Sequence, residues 1–495
     1  MPTPPRFPRP FARFYTPVIL LPAVAMAVTA ALATPWFAAA APPPAPLDPP
    51  QAGPAKESSR GGWQGMMAMP RAKNAWGPAL PTGAGVVALH VEGRPDAYAP
   101  DLDNPALLGV NFELHDGPSP PNPHATTTAR TIYGPRGAAP GIRTVHWMTV
   151  ARWMTRGYLR TGTADPPDQL SPPPRIMTHS WIAGGQTPNN AAVLRRLDFV
   201  IDRDDVLCFV GVNNNRNTAV PELLGSAHNA LAIGRADGQH STGYTTFEDA
   251  GRCKPDMVAP GPTTSEATPM AAAIGARLIE FAGRNDHNGD ERAETLKAVL
   301  LAGAWQPEKW APEPGKPLDA VYGAGVVDLD RSLRILDAGP TPPGETAARY
   351  GWWFGALDPS APLATWRFFN PEPAGEARMT LTWHRRIGGP GLIGAATANF
   401  DLRLTRTHDA QGRPLDTPEP VATSASEVDN VEHLSVDGLP AGGYRVLVQR
   451  QADRNPVPWD YALAWRIEGA SPPENAPPPN IAEDRAPAPA SAPSE

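Results

Sequence analysis

The side chains best suited to chemistry are a serine, a histidine, a glutamate and an asparagine, widely separated in the chain. Ser265 lies in Gly261-Pro-Thr-Thr-Ser-Glu-Ala-Thr-Pro269, a turn and hydroxyl cluster that leads into Met270-Ala-Ala-Ala-Ile274 and Leu278-Ile279. That run is apolar nearly all round, as in a helix buried inside a larger fold. Pro269 fits the first turn of such a helix, where its missing amide hydrogen would have no partner anyway. A serine at this entrance has two readings. It is an N-cap, or it is a nucleophile beside free amides and a helix dipole that stabilise negative charge on a substrate oxygen. In the second case its hydroxyl needs a base within hydrogen-bond reach. An imidazole titrates near working pH and can take that proton and return it to the leaving group. A carboxylate then orients the imidazole and stabilises its charged form.

These groups must be brought together by the elements that carry them. Gly83-Ala-Gly-Val-Val-Ala-Leu-His-Val-Glu-Gly93 reads as a buried parallel strand ending in Glu92, with Asp96 further on, past a proline. Functional groups collect at the carboxyl ends of such strands, although a solvated strand end is the plainer reading of Glu92. His124 begins a Thr/Ala-rich helical stretch, Asn122-Pro-His-Ala-Thr-Thr-Thr-Ala-Arg130. Val206-Leu-Cys-Phe-Val-Gly-Val212 reads as another buried strand, followed by Asn213, Asn214 and Asn215, which turn chemistry alone would also explain.

Lys254-Pro-Asp-Met-Val-Ala-Pro260, followed by Thr264-Ser-Glu-Ala-Thr-Pro269, resembles the serine motif of the subtilisin-like (S8) peptidases. His124-Ala-Thr-Thr-Thr-Ala-Arg130 with Gly137-Ala-Ala-Pro140 is similar to that family's histidine segment, with Ala125 and Arg130 where the family has glycines. Tyr322-Gly-Ala-Gly-Val-Val-Asp328 is similar to the segment that closes its catalytic domain. The resemblance runs from about Trp76 to Ala338, a little over half the chain. It implies Ser265 as nucleophile, His124 as base, and Asn213, with Asn214 second, as oxyanion donor. The family has an Asp-x-Gly where this strand ends; Pro100-Asp-Leu102 is kept, Glu92 is the best stand-in for the acid, and Asp96 is a poorer one. The Ser180-Trp-Ile-Ala-Gly184 stretch, with Ser180, Trp181 and Gly184, would form a wall of the substrate pocket. The expected function is an exported serine endopeptidase acting on polypeptides. The alternatives are a degenerate relative that binds peptides or partner proteins without cleaving, and an esterase or amidase on the same triad. The missing strand-end Asp, with Ala125, Arg130 and Thr263 at glycine positions, speaks for the degenerate reading.

The rest of the chain bounds these expectations. With 495 residues and a net charge of −7, it has room for two domains and no sign of a nucleic-acid partner or of an anionic membrane surface. Residues 1–41 carry arginines, a long apolar run and Ala38-Ala-Ala40, and read as a cleaved signal or, alternatively, an N-terminal anchor. Residues 42–75 are expected to be a Pro-rich linker, too short to hold a folded inhibitory prodomain. The fold class expected is α/β: a parallel-sheet catalytic domain over 76–338, then an antiparallel β-sandwich over 345–470 and a Pro/Ala-rich tail over 471–495. No cofactor or metal is expected. Asp286, Asn288 and Asp290 have calcium-loop spacing, but Lys297 stands where the bidentate glutamate belongs. Cys208 reads as a small buried hydrophobe rather than half of a disulfide with Cys253.

Overall fold

The computed structural model describes residues 62–93, 97–284, 287–452 and 455–469. The expected signal or anchor, the tail, Asp96 and Asp286 lie outside these described residues.

Seven strands form one parallel sheet: β1 (Val87–Glu92), β2 (Asn111–Leu114), β3 (Thr144–Thr149), β4 (Ile176–His179), β5 (Leu207–Gly211), β6 (Leu231–Arg235) and β7 (Met257–Ala259). Their spatial order is β2-β3-β1-β4-β5-β6-β7. The inner strands are buried almost throughout because helices cover both faces, whereas the edge strand β2 alternates exposed and half-buried residues. Helices α1 (Gly62–Met66) and α2 (Met69–Trp76) precede the sheet, and α3 (Pro123–Ile132), α4 (Thr187–Asp204), α5 (Thr264–Ala282), α6 (Ala293–Gly303) and α7 (Leu329–Asp337) follow in order. One core layer joins α3, α5, α6 and α7 to the sheet, while α4 and the turn around Trp153 cover the other face. The alanine run of α5 is explained by close approach. A Cβ on Gly275 would sit 2.7 Å from the Phe209 ring on β5, so only small residues let helix and sheet meet.

The linker expected over 42–75 is corrected from Gly62 onward. Met67 and Ala72 are fully buried, and Arg71 pairs with Asp328 at 2.6 Å and Asp330 at 2.9 Å. Trp305 Nε1 donates to the Met66 carbonyl at 2.8 Å. These anchors, supplied by residues some 240 to 260 positions downstream, are invisible to composition. Cys208 and Cys253 are free and buried.

After α7 the architecture changes to two four-stranded antiparallel sheets. The strands are β8 (Tyr350–Leu357), β9 (Leu363–Asn370), β10 (Ala374–Thr382), β11 (Phe400–His408), β12 (Pro414–Ser424), β13 (Val431–Leu439), β14 (Gly442–Arg450) and β15 (Trp459–Gly469). The sheet orders are β8-β15-β10-β13 and β9-β14-β11-β12. Trp366, Trp383, Trp459 and Trp465 fill the space between the sheets. The sandwich is joined to the α/β domain by buried polar contacts. Arg466 of β15 donates to the Ala302 and Ala304 carbonyls at 2.7 and 3.0 Å, satisfying the open C-terminal end of α6. Thr382 donates to the Glu294 carbonyl at 2.7 Å, and Asn430 to the His228 carbonyl at 3.0 Å.

Candidate active site

Glu92 ends β1 with its side chain 2% exposed, and α3 delivers His124 to it. Asn122 caps α3: its Oδ1 accepts from the amides of His124 at 2.9 Å and Ala125 at 3.2 Å, and Pro123 fills the first helical position. This fixes the His124 backbone, and its Nδ1 meets Glu92 Oε2 at 3.0 Å. The other carboxylate oxygen is equally engaged. Glu92 Oε1 accepts from Thr128 Oγ1 at 2.8 Å and lies 3.2 Å from His90 Nε2. Behind His90, the Tyr133 hydroxyl lies 3.2 Å from Nδ1, and the ring stacks on Trp147 at 4.1 Å.

The electrostatics follow from this packing. Burial by itself would raise the Glu92 carboxyl, but hydrogen bonds from His124 and His90 pull it down to about 2. The hydrogen bond to Glu92 raises His124 above its ordinary 6.5 against the effect of partial burial, and Glu266 adds to the rise. Burial lowers His90, so it is neutral at working pH and serves Glu92 as a hydrogen-bond donor rather than as a charge. With Nε2 donating to Glu92, its Nδ1 accepts from Tyr133. His124 donates from Nδ1, which leaves Nε2 as the basic nitrogen on a ring 49% exposed to solvent.

Helix α3 packs on α5, which opens at Thr264 with Thr263 as its N-cap and carries Ser265 in its first turn. Pro269 is not in that first turn, as the sequence suggested, but inside the helix. Its missing N–H deprives the Ser265 carbonyl of its helical partner, and Ser180 Oγ donates to that carbonyl instead at 2.9 Å. Ser265 Oγ in turn donates to the Ser180 carbonyl at 3.4 Å. The helix therefore starts before the proline because a neighbouring strand end supplies the lost hydrogen bond.

The two candidate asparagines differ in their contacts. Asn213 Oδ1 accepts from the Asn215 amide at 2.8 Å, a local turn, while its own amide donates to Ser241 Oγ at 3.0 Å. Asn214 Oδ1 accepts from the Thr264 amide at 2.7 Å, next to Ser265 in sequence. With its oxygen held by α5, Asn214 has its Nδ2 hydrogens left to donate beside the serine. Strand β5 ends at Gly211, the Val212 amide still donates to the Ile233 carbonyl at 3.2 Å, and the three asparagines follow beyond it.

A pocket of about 80 Å³ adjoins Ser265, lined by Ser180, Trp181, Ile182, Asn213, Asn214 and Thr264 among others. Gly184, expected in its wall, is not among the lining residues, and Ala183 just before it bridges to Leu223. A larger cavity of about 310 Å³ lies at the seam with the sandwich, lined by Asp249, Arg385 and Asp429 among others, and touches none of these groups. Two groups of possible metal ligands occur among the described residues, Glu113/His115/His146 and Asp202/Glu294/His384, and neither includes Glu92, His124 or Ser265.

His90, Thr128 and Ser241 join the site without standing among the candidates above. The first two had a signal. His90 shares a strand face with Glu92 two residues on, and Thr128 lies one helical turn after His124.

No family matches the sequence, and no curated protein does. Among solved structures, the prenylagaramide maturation protease PagA is 17% identical with a TM-score of 0.37, over 53% of this chain and 98% of that one. The patellamide maturation protease PatA is 16% identical with a TM-score of 0.36, over 51% and 97%. A protease from Pseudoalteromonas arctica is 14% identical with a TM-score of 0.34, over 54% and 93%. Likeness at that level leaves the chemistry of the site to be read from its own geometry.

Proposed function

We propose that the chain is an exported, subtilisin-like serine endopeptidase that cleaves polypeptides through Ser265, His124 and Glu92. The observation that carries this reading is the 3.0 Å contact of His124 Nδ1 with a buried carboxylate on one side, with the helix bearing Ser265 packed against the helix bearing His124. In the proposed reaction His124 Nε2 takes the Ser265 hydroxyl proton as Oγ attacks the peptide carbonyl. The Asn214 amide and the Ser265 backbone N–H stabilise the resulting oxyanion. His124 then gives the proton to the leaving amine, and water hydrolyses the acyl-serine by the same steps in reverse roles. To engage His124, Ser265 Oγ gives up its long contact with the Ser180 carbonyl. The pocket beside Ser265, lined by Ser180, Trp181 and Ile182, is the place for a substrate side chain on the acyl side of the cleaved bond.

A second reading, a peptide-binding protein that does not cleave, is favoured by one observation: the Ser265 hydroxyl is engaged with Ser180. Labelling with a fluorophosphonate probe separates the two. Covalent labelling of the full chain that is lost in Ser265→Ala and strongly reduced in His124→Ala supports the peptidase. Folded protein that takes no label across about pH 4 to 9, a range spanning imidazole titration, overturns the peptidase and favours the binder. A labelled protein that cleaves small esters but no polypeptide would instead be an esterase.

A further inference from the structure

On the far side of β1, the edge strand β2 and its neighbour β3 bring together two imidazoles and a carboxylate. Glu113 pairs in register with His146, and the ladder continues through the His115 amide, which donates to the Trp147 carbonyl at 3.0 Å. Glu113 and His115, the latter just past the end of β2, lie on one face, while Phe112 and Leu114 on the other pack into the core. His146 Nδ1 lies 2.9 Å from His115 Nε2 and 3.1 Å from Glu113 Oε2, and His115 Nε2 lies 3.7 Å from Glu113 Oε1. We propose that Glu113, His115 and His146 form a binding site for a divalent transition-metal ion of the zinc type, which clasps the edge strand β2 to β3.

The tautomer of His146 supports this assignment. His146 Nε2 is 2.8 Å from the Pro172 carbonyl, which can only accept, so Nε2 carries the proton. A neutral ring then presents a lone pair at Nδ1, 3.1 Å from a carboxylate oxygen. Two acceptors at that distance repel unless a cation or an extra proton lies between them. A carbonyl that fixes the remote nitrogen is the kind of partner that orients metal-ligating histidines. The separations of 2.9, 3.1 and 3.7 Å bracket the spacing of about 3.3 Å between the ligands of a tetrahedral ion with bonds of about 2.0–2.1 Å.

The donor set selects the ion. Two nitrogens and one carboxylate suit zinc and its neighbours, whereas calcium and magnesium take oxygen. Access is graded across the site. His146 is fully buried, His115 is 16% exposed and Glu113 is 51% exposed, so an ion can enter from the Glu113 side and keep an open coordination position. Asp116 adds negative charge near His115, and Arg152 opposes it.

Isothermal titration of the chelator-treated full chain with zinc chloride tests the proposal, alongside Glu113→Gln and His115→Ala. Both substituted side chains reach solvent, so the variants should fold. Zinc bound with a Kd of about 10 µM or tighter in the wild type, weakened about tenfold or more in each variant, is the expected result. Melting temperature should rise with zinc in the wild type and respond much less in the variants. Absence of binding below about 1 mM would overturn the proposal and leave the cluster a proton-bridged hydrogen-bond chain. Equal affinity in all three proteins would also overturn it, placing the ion elsewhere, for example at the buried Asp202, Glu294 and His384.

Discussion

His90 and Glu92 stand two residues apart on one face of β1, and His90 Nε2 meets Glu92 Oε1 at 3.2 Å. Together with Thr128 at 2.8 Å, this contact fixes one carboxylate oxygen and leaves the other for His124. A glutamate has one more rotatable bond than an aspartate. The two inward donors restrict that freedom and hold the longer side chain in one pose. His90 is thus a positioning residue for the proposed triad.

Replacing His90 with Leu should therefore lower kcat about tenfold or more while leaving KM nearly unchanged, because the lost hydrogen bond to a charged group is worth about 1.5–3 kcal/mol. His90→Gln, which restores a donor, should recover part of the loss at equal folded fraction. A purely structural role would reduce folded protein without this recovery, so a steady-state comparison of the two variants, normalised by active-site titration, decides the matter.

The pH dependence has a defined sign. Glu92 raises His124 above 6.5, so the basic form of His124 accumulates only at higher pH. The acid limb of kcat/KM should therefore have its midpoint above 6.5. Glu92→Gln should move that midpoint down and reduce kcat by about 10⁴, the cost of losing the orienting carboxylate. A wild-type midpoint at or below 6.5, or one that does not move in the variant, would contradict the assignment. Stability follows the opposite group. Glu92 has its folded value at about 2, below the ordinary 4.5, so its contribution is complete above 4.5 and is lost as pH falls toward 2. Urea unfolding of wild type and Glu92→Gln should converge across that window.

Asn214 and Asn213 can be told apart by kinetics. Asn214→Ala removes the donor held beside Ser265 and should cost about 10²–10³ in kcat. Asn213→Ala removes a turn contact to the Asn215 amide and should cost less than about tenfold, together with about 1 kcal/mol of stability. The reverse ranking in a peptide-cleavage assay would return the role to Asn213.

The elements legible in the sequence are those whose signal is local. The strand before Glu92, the helix beginning at His124 and the alternating strands around Met379 and Tyr444 were legible, since hydrophobic period and capping residues act over a few positions. The contact of His124 with Glu92 was expected from motif resemblance, and the geometry brings the two side chains together. Three features were not legible because their causes are distant in the chain. Residues 62–76 have linker composition yet fold against Asp328, Asp330 and Trp305. The proposed choice of Asn214 over Asn213 rests on the Thr264 amide, fifty residues away. The metal-type cluster arises from the register of β2 against β3, which no single stretch encodes.

The start of α5 illustrates the same point and yields a cycle of variants. Helix propensity places a proline at or before the first turn, yet Pro269 lies inside α5 because Ser180 Oγ donates to the Ser265 carbonyl that the proline leaves open. Ser180→Ala should thus leave a part-buried carbonyl unpaired and cost about 1–3 kcal/mol, with a fall in kcat as Ser265 loses its anchor. Pro269→Ala supplies the missing amide from within the helix. In that background Ser180→Ala should cost less than about 0.5 kcal/mol, giving a clear interaction energy in a double-mutant cycle. If Ser180 acted only as a wall of the substrate pocket, Ser180→Ala would change KM with little effect on unfolding, and Pro269→Ala would rescue nothing. Chemical denaturation and steady-state kinetics on the four proteins distinguish the two roles. The stability cycle measures the helix repair, and the kcat cycle measures whether that repair holds the proposed nucleophile in place.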